Sequence, residues 1–454
     1  MLGFMDTQLF PGMEVETVVG HAEAPPGDRS GPPRLRRPDR GQWLMRPQCL
    51  EELVPPDHPV RMVWALVERL DLSGFYDAIR ARGEDPGRSA TDPRLLVALW
   101  LYAHVDGVGS ARELERRCGE HAPYQWLCGG VNLNHHTLSD FRTGHEKALD
   151  ALFTNLLAMM QHKGLVHLER ISQDGMRVRA SAGASSFRRR ETLERWVSEA
   201  RERVETLKRQ LEGPVAAEWS AVQRAAQERA AKERMERIER ALAALPQLEA
   251  AKEKLSRKMA AAKTKAVRAS TTDAEARVMK MPDGGFRPGY NVQLAADTES
   301  RAVVGVEVTN SGVDSGQAEP MRKQVEERSG RAVKEHLYDG GYLRLEDIDA
   351  AQEGGVKVYA PPKPPRNKEQ RASAYEPRRD DSPAVAEWRM RMGSEAGQAV
   401  YRLRAATSKT VNAELRAYRS LDRLLVRGMS KVRCVALWAA LAYNVVHFGR
   451  MLMS

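Results

Sequence analysis

A mixed α/β protein is what this sequence predicts, with an all-α part at 41–160 followed by a sheet-bearing part at 161–454. A long helical hairpin is expected as an insert at 188–270. Three patterns carry that reading. Apolar residues recur at helical spacing from 59 to 160. Beyond 165, short β-patterned runs alternate with helical ones, as in a mixed sheet covered by helices. Between them, Leu193, Val197, Ala200, Val204, Leu207 and Leu211 stand at alternating spacings of four and three, the seam of helix-on-helix packing.

Taken in order, residues 1–40 are rich in Pro, Gly and Arg and lack apolar periodicity. They are expected to be a disordered basic tail, with Arg34, Arg36, Arg37 and Arg40 either solvated or available to phosphate. Helices are expected at 59–70, 92–105 and 110–118, the last opening on a capping-box pattern, Ser110-Ala-Arg-Glu113. A short turn follows at 123–127. One helix should then run from Thr137 to about Met160, with Thr137-Leu-Ser-Asp140 as its start signal. Short helices joined by tight loops suit a helix-turn-helix module or a plain bundle equally.

An extended run at 165–181 precedes the hairpin, whose two seams are separated by the Gly213-Pro214 break. The second seam includes Met235, Ile238, Leu242 and Leu245. Residues 290–310 alternate as a β-hairpin, with Asp297 at its turn. A helix at 317–328, a strand ending at Asp339, a helix at 345–352 and a strand at 356–360 follow. After a Pro- and charge-rich loop at 361–383, helices at about 384–418, with Gly393 as a candidate break, and 431–453 finish the chain. The apolar stretch 434–453 is interrupted by Asn444, His447 and Arg450, so it reads as a buried helix and not as a membrane span.

At 454 residues the chain exceeds a single compact core. Its formal net charge of +10 favours an anionic polymer as partner. Four cysteines are too few for a disulfide scaffold and point to a reducing compartment. Cys118, His121, Cys128 and His135 have the spacing of no common zinc finger. The tryptophans fall mostly in helical runs, where packing is their ordinary role.

Two aspartates stand out. Asp174, in Ile171-Ser-Gln-Asp-Gly, and Asp339, in His336-Leu-Tyr-Asp-Gly-Gly, each close a β-patterned run and precede glycine. Carboxylates at neighbouring strand ends suit divalent metal, because Mg²⁺ prefers oxygen ligands. Asp-Gly is also a common turn dipeptide, so either alone carries little. Arg177 and Arg179 fit the exposed face of an edge strand.

The chain resembles bacterial insertion-sequence transposases of the DDE type over roughly 43–450. The likeness rests on Leu50-Glu-Glu-Leu-Val-Pro-Pro-Asp-His-Pro-Val60, His135-His-Thr-Leu-Ser-Asp-Phe-Arg142, Gln173-Asp-Gly-Met-Arg-Val-Arg-Ala-Ser-Ala182, Gly289-Tyr-Asn-Val-Gln293 and Asp339-Gly-Gly-Tyr342. It continues in Tyr401-Arg-Leu-Arg404, Val426-Arg-Gly428, Lys431 and Leu437-Trp-Ala-Ala-Leu-Ala-Tyr-Asn444. The resemblance implies an RNase H-like catalytic domain at 161–454 and a helical DNA-binding domain at 41–160. It also implies two Mg²⁺ or Mn²⁺ ions, double-stranded DNA of element ends and target as partner, a homodimer or higher assembly on DNA, no membrane, and a cytoplasmic, nucleoid-associated location.

Asp174 and Asp339 match the family's first two metal-binding acids. Tyr401 and Arg404 match a motif expected near the scissile phosphate. Arg142 and Lys431 are the other DNA-binding candidates. The family's third acid, a Glu five residues after the motif Arg, falls here on Lys409. An ammonium cannot ligate Mg²⁺. Three readings follow: a decayed copy, Glu414 as a substitute ligand, or Glu395 or Glu387 in that role. Glu414 lies about 140° round a helix from position 409. On the first reading Lys409→Glu should raise metal-dependent cleavage. A repeat-binding protein that does not cut, and a nuclease without strand transfer, are the alternatives to a full transposase.

Overall fold

The computed structural model describes residues 49–79, 82, 89–212, 220–258, 266–363 and 372–454. The tail expected at 1–40 and the Gly213-Pro214 break lie outside them. Residues 48–454 make one compact unit.

Seven helices come first: α1 (Pro59–Val67), α2 (Ser73–Tyr76), α3 (Pro93–Val105), α4 (Ala111–Glu120), α5 (Ala122–Cys128), α6 (His135–Gly144) and α7 (Glu146–His162). Asp92 accepts from the Arg94 amide to cap α3, and Pro93 occupies its first turn. All of α3 except Arg94 and Val105 is buried, so it is a core helix. Ser110 caps α4 at Glu113, as its sequence predicts. The turn expected at 123–127 is the helix α5. The single helix expected from Thr137 is two. Asn134, not Thr137, supplies the cap, and the chain breaks at His145, whose φ of −125° and ψ of 46° lie outside the helical region.

The sheet part holds β1 (Arg170–Arg179), β2 (Phe187–Arg188), α8 (Arg190–Glu212), α9 (Ala221–Lys258), β3 (Ala269–Ser270), β4 (Arg277–Lys280), β5 (Phe286–Asp297), β6 (Val303–Thr309), α10 (Ala318–Ser329), β7 (Glu335–Leu337), α11 (Leu345–Glu353) and β8 (Lys357–Tyr359). Helices α12 (Pro383–Gly393), α13 (Glu395–Tyr418) and α14 (Met429–Met453) complete it. The helical run expected at 384–418 does break at Gly393: α12 ends there and Ser394 caps α13 at Gly397. A Cβ on Gly397 would fall on the Arg391 carbonyl, so the junction requires glycine.

The main sheet runs β4-β5-β1-β7-β8, with β6 also paired to β5. β1 is antiparallel to β5 and parallel to β7. It is therefore a central strand, not the edge strand its arginines suggest. Helices α8 and α9 form the expected hairpin between β1 and β5. Arg190 pairs with Glu249 at 2.7 Å and Arg201 with Glu239 at 2.8 Å, which fixes an antiparallel pair. Its seam is a separate small core of Leu193, Val197, Ala200, Ile238, Ala241 and Leu245. Strands β2 and β3 pair at its base.

The boundary near 160 is not a boundary in the core. One continuous apolar cluster joins the N-terminal helices to the sheet. The link is α14, packed against α1, α3, α6 and α7 on one side and β6 on the other. Helix α14 has the length and composition to span a membrane, yet 83% of that window is buried within the protein. Asn444 explains the polar break in it. Its Oδ1 accepts from the Val303 amide at 2.9 Å and its Nδ2 donates to the Val303 carbonyl at 2.8 Å. The side chain thereby satisfies backbone groups of β6 that face no further strand.

Candidate active site

Strand alternation divides β1 into two faces. Ser172 and Asp174 point toward α13, while Gln173, Gly175 and Arg177 point toward the loop 311–317. On the first face Ser172 Oγ lies 2.6 Å from Ser408 Oγ and 3.4 Å from the Arg404 carbonyl. Arg404 Nη1 lies 3.7 Å from Asp174 Oδ2.

Parallel pairing aligns Ser172 with Leu337 at the last shared step of β1 and β7. Asp174 and Asp339 each come two residues later. Asp339 sits on a tight turn. The Gly341 amide donates to its Oδ1 at 2.6 Å, and the Tyr342 amide donates to its carbonyl at 3.2 Å. A Cβ on Gly341 would stand 2.8 Å from Asp339 Oδ1, so glycine leaves the carboxylate its place.

Burial pushes the Asp174 carboxyl up from 3.8 to about 6. Arg404 opposes the rise, while the charges of Asp339 and then Asp314 add to it. The two aspartates are therefore within electrostatic reach of each other. Two mutually repelling oxygen donors in a partly desolvated pocket fit a hard divalent cation, whose remaining positions water can fill. Among the described residues no group of three or more His, Cys, Asp or Glu side chains is placed to hold a metal ion. The candidate oxygen donors are the two carboxylates of Asp174 and Asp339.

Beside them Arg404 holds unused capacity. Its Nε and Nη1 are buried and have no hydrogen-bond partner. The guanidinium carbon lies 5.8 Å from the Tyr401 ring centre. Buried donors normally have acceptors, and a planar guanidinium matches two phosphate oxygens.

The other candidates lie elsewhere. Arg142 is a correction. It is only 5% exposed, its Nη1 donates to the Gly109 carbonyl, and it stacks 4.8 Å from the Trp100 ring centre. Burial pulls its pKa down to about 10. It is an internal strut, and the motif around it is a packing motif: Trp100 Nε1 donates to the Leu138 carbonyl and Trp438 Nε1 to the Arg142 carbonyl. Glu414 is the second correction. Its carboxylate is taken by Arg419 and His447, each at 2.8 Å, at the junction of α13 with α14. Glu387 pairs with Arg391, and Glu395 is exposed at the start of α13. Lys409 is exposed, and the residue before it, Ser408, faces β1. Lys431 is exposed in the first turn of α14. His135 pairs with Glu115 and meets the His136 ring at a tilt, and all four cysteines are free.

Sequence reasoning missed Asp314. It follows β6 in a turn, and its Oδ1 accepts from Asn291 Nδ2 at 2.6 Å and Gln293 Nε2 at 2.8 Å. Arg177 Nη2 reaches its Oδ2 at 3.2 Å. The available signal was the pair of amides at alternate positions of an otherwise apolar strand.

Residues 48–144 match a family model described as a transposase domain (DUF772), and residues 262–445 match one described as a transposase DDE domain. The chain therefore carries two transposase domains. Together they are consistent with an insertion-sequence transposase of the DDE type. Asp339, Tyr401 and Arg404 fall within the second match, and Asp174 in the interval between the two. No curated protein and no solved structure matches the chain.

Proposed function

We propose that this protein binds the terminal inverted repeats of an insertion sequence, cuts the DNA there and joins the freed 3′-hydroxyl to target DNA. The observation that carries the reading is the Asp174 carboxyl, raised by burial and by the neighbouring charge of Asp339, beside donors of Arg404 that make no hydrogen bond. The strand order β6-β5-β1-β7-β8, with β1, β7 and β8 parallel, supports an RNase H-like catalytic domain.

In this reading Asp174 and Asp339 would hold Mg²⁺ or Mn²⁺, two ions being expected. The chemistry supplied by divalent metal held there would be activation of the attacking water or hydroxyl and charge neutralisation at the leaving oxygen. Arg404 grips the scissile phosphate by its free N–H groups, and the Tyr401 ring limits where that guanidinium swings. Lys431 contributes a phosphate contact from the first turn of α14. A net charge of +10 draws duplex DNA to the surface. Pairing of two element ends calls for a dimer or higher assembly, and a cytoplasmic, nucleoid-associated location follows from that substrate.

The test is incubation of the full chain with Mg²⁺ and a duplex carrying the repeats that flank its coding region. Nicks at the repeat ends and joined product are expected, with neither from Asp174→Asn nor Asp339→Asn. Nicking without joining would reduce the reading to a nuclease. A second reading, a decayed copy that binds repeats without cutting, is favoured by Lys409. It expects binding with no nicking, and nicking gained by Lys409→Glu.

A further inference from the structure

Behind Asp174, on the opposite face of the sheet, the protein buries a polar layer where an α/β core is ordinarily apolar. Gln293 on β5 is its centre. Its Oε1 accepts from Tyr342 Oη at 2.5 Å and from Gln173 Nε2 at 3.0 Å, and its Nε2 donates to Asp314. Gln173 Nε2 also donates to the Gln317 carbonyl at 3.0 Å. Gln173, Gln293 and Tyr342 are each no more than 1% exposed. Two donors on one oxygen and a carboxylate on the nitrogen settle which way the Gln293 amide points.

We propose that Gln293 and Tyr342 are positioning residues that set the spacing between Asp174 and Asp339. The connectivity gives the reason. Gln173 is the residue before Asp174 on β1. Tyr342 closes the turn that carries Asp339, through the hydrogen bond its backbone N–H donates to the Asp339 carbonyl. Gln293 therefore ties one carboxylate's strand to the other carboxylate's turn through side chains alone. Backbone pairing of β1 with β7 stops at Ser172 and Leu337, short of both aspartates, so it does not fix their separation.

The layer is poorly suited to stability. Gln173 Oε1 and Asn291 Oδ1 are buried without partners. Apolar side chains of the same volume would avoid that desolvation cost. Gly175 adds a second sign that the space is reserved. A Cβ there would fall on Asp314 Oδ1 and stand 2.6 Å from Gln293 Nε2. A network that is costly to bury yet connects two candidate ligands is expected where geometry must be held closely.

The inference rests on the metal-binding reading above, and one titration separates the two. Mn²⁺ binding to the full chain is measured by electron paramagnetic resonance for the unaltered protein, Asp174→Asn, Asp339→Asn and Tyr342→Phe, with metal-free melting curves alongside. Tyr342→Phe is expected to melt within a few degrees of the unaltered protein and to bind Mn²⁺ about 10–100-fold more weakly, the range for ligand-orienting groups. Equal Mn²⁺ affinity in Tyr342→Phe, with binding abolished in both aspartate variants, overturns the inference and leaves the site reading intact. Binding that ignores both aspartate variants overturns the site reading and the inference together. Should Tyr342→Phe unfold, Gln293→Met breaks the same link at nearly the same volume and is read the same way. Unfolding of both shows a role in holding the fold and overturns the inference.

Discussion

Replacing Asp174 by Asn should stabilise the metal-free protein at neutral pH. The carboxyl rises from 3.8 to about 6, chiefly through burial, with its side chain 22% exposed. Its folded pKa lies above its unfolded one. Its contribution to stability is therefore complete below about 3.8 and is lost as pH rises through about 6. The gap of about 2.2, at 1.36 kcal/mol each, gives about 3 kcal/mol as an upper order of magnitude at pH 8. Asn keeps an oxygen that can accept from the Gly175 amide, the bond Asp174 makes at 3.1 Å. Arg404 already moderates the rise, so its attraction is included in that figure. Urea unfolding of both proteins in chelator, from pH 4 to 8, is the assay. The unaltered chain should lose stability across pH 4–6 relative to Asp174→Asn, and Mg²⁺ at pH 8 should restore it only in the unaltered chain. A variant less stable at pH 8, or parallel pH profiles, would refute the claim that an ionised Asp174 is held against its preference.

Gly175→Ala should cost about 1–3 kcal/mol in denaturant titration, because the added methyl meets Asp314, Gln293 and Asn291 in a packed layer. Glu414→Gln should lower stability by about 1–3 kcal/mol through its bonds to Arg419 and His447, while Mn²⁺ affinity stays unchanged. Arg142→Met should lower the melting temperature without altering the salt dependence of DNA binding, since that guanidinium is buried over Trp100. Arg404→Ala should instead weaken binding of a duplex spanning the cut site and also lower metal-free stability at pH 8, because it removes the guanidinium that opposes the rise of the Asp174 carboxyl.

Most of the architecture was legible because period and capping report local physics. The apolar run of α3, the α4 cap, the α8–α9 seam and the Asp297 turn all follow from residues near in sequence. Local patterns are silent where distant packing decides. Arg142 and Asn444 both sit in helices, and only tertiary contact shows the first sealed against Trp100 and the second clamped on β6. The break at His145 has no proline or glycine at that residue to announce it; only Gly144 precedes it. At the candidate site, Asp174 and Asp339 were visible from their strand-then-glycine setting. Asp314 was not, because a turn aspartate after a strand looks like any other until Gly175 opens room for it.

The central claim is that Asp174 and Asp339 hold one metal between them. Iron(II) substituted for Mg²⁺, with ascorbate and peroxide, cuts the backbone wherever the ion sits, and the fragments can be mapped. Cuts beside both 174 and 339, each lost in Asp174→Asn and in Asp339→Asn, are the predicted result. Cuts at only one of the two positions, or a pattern indifferent to either substitution, would contradict it.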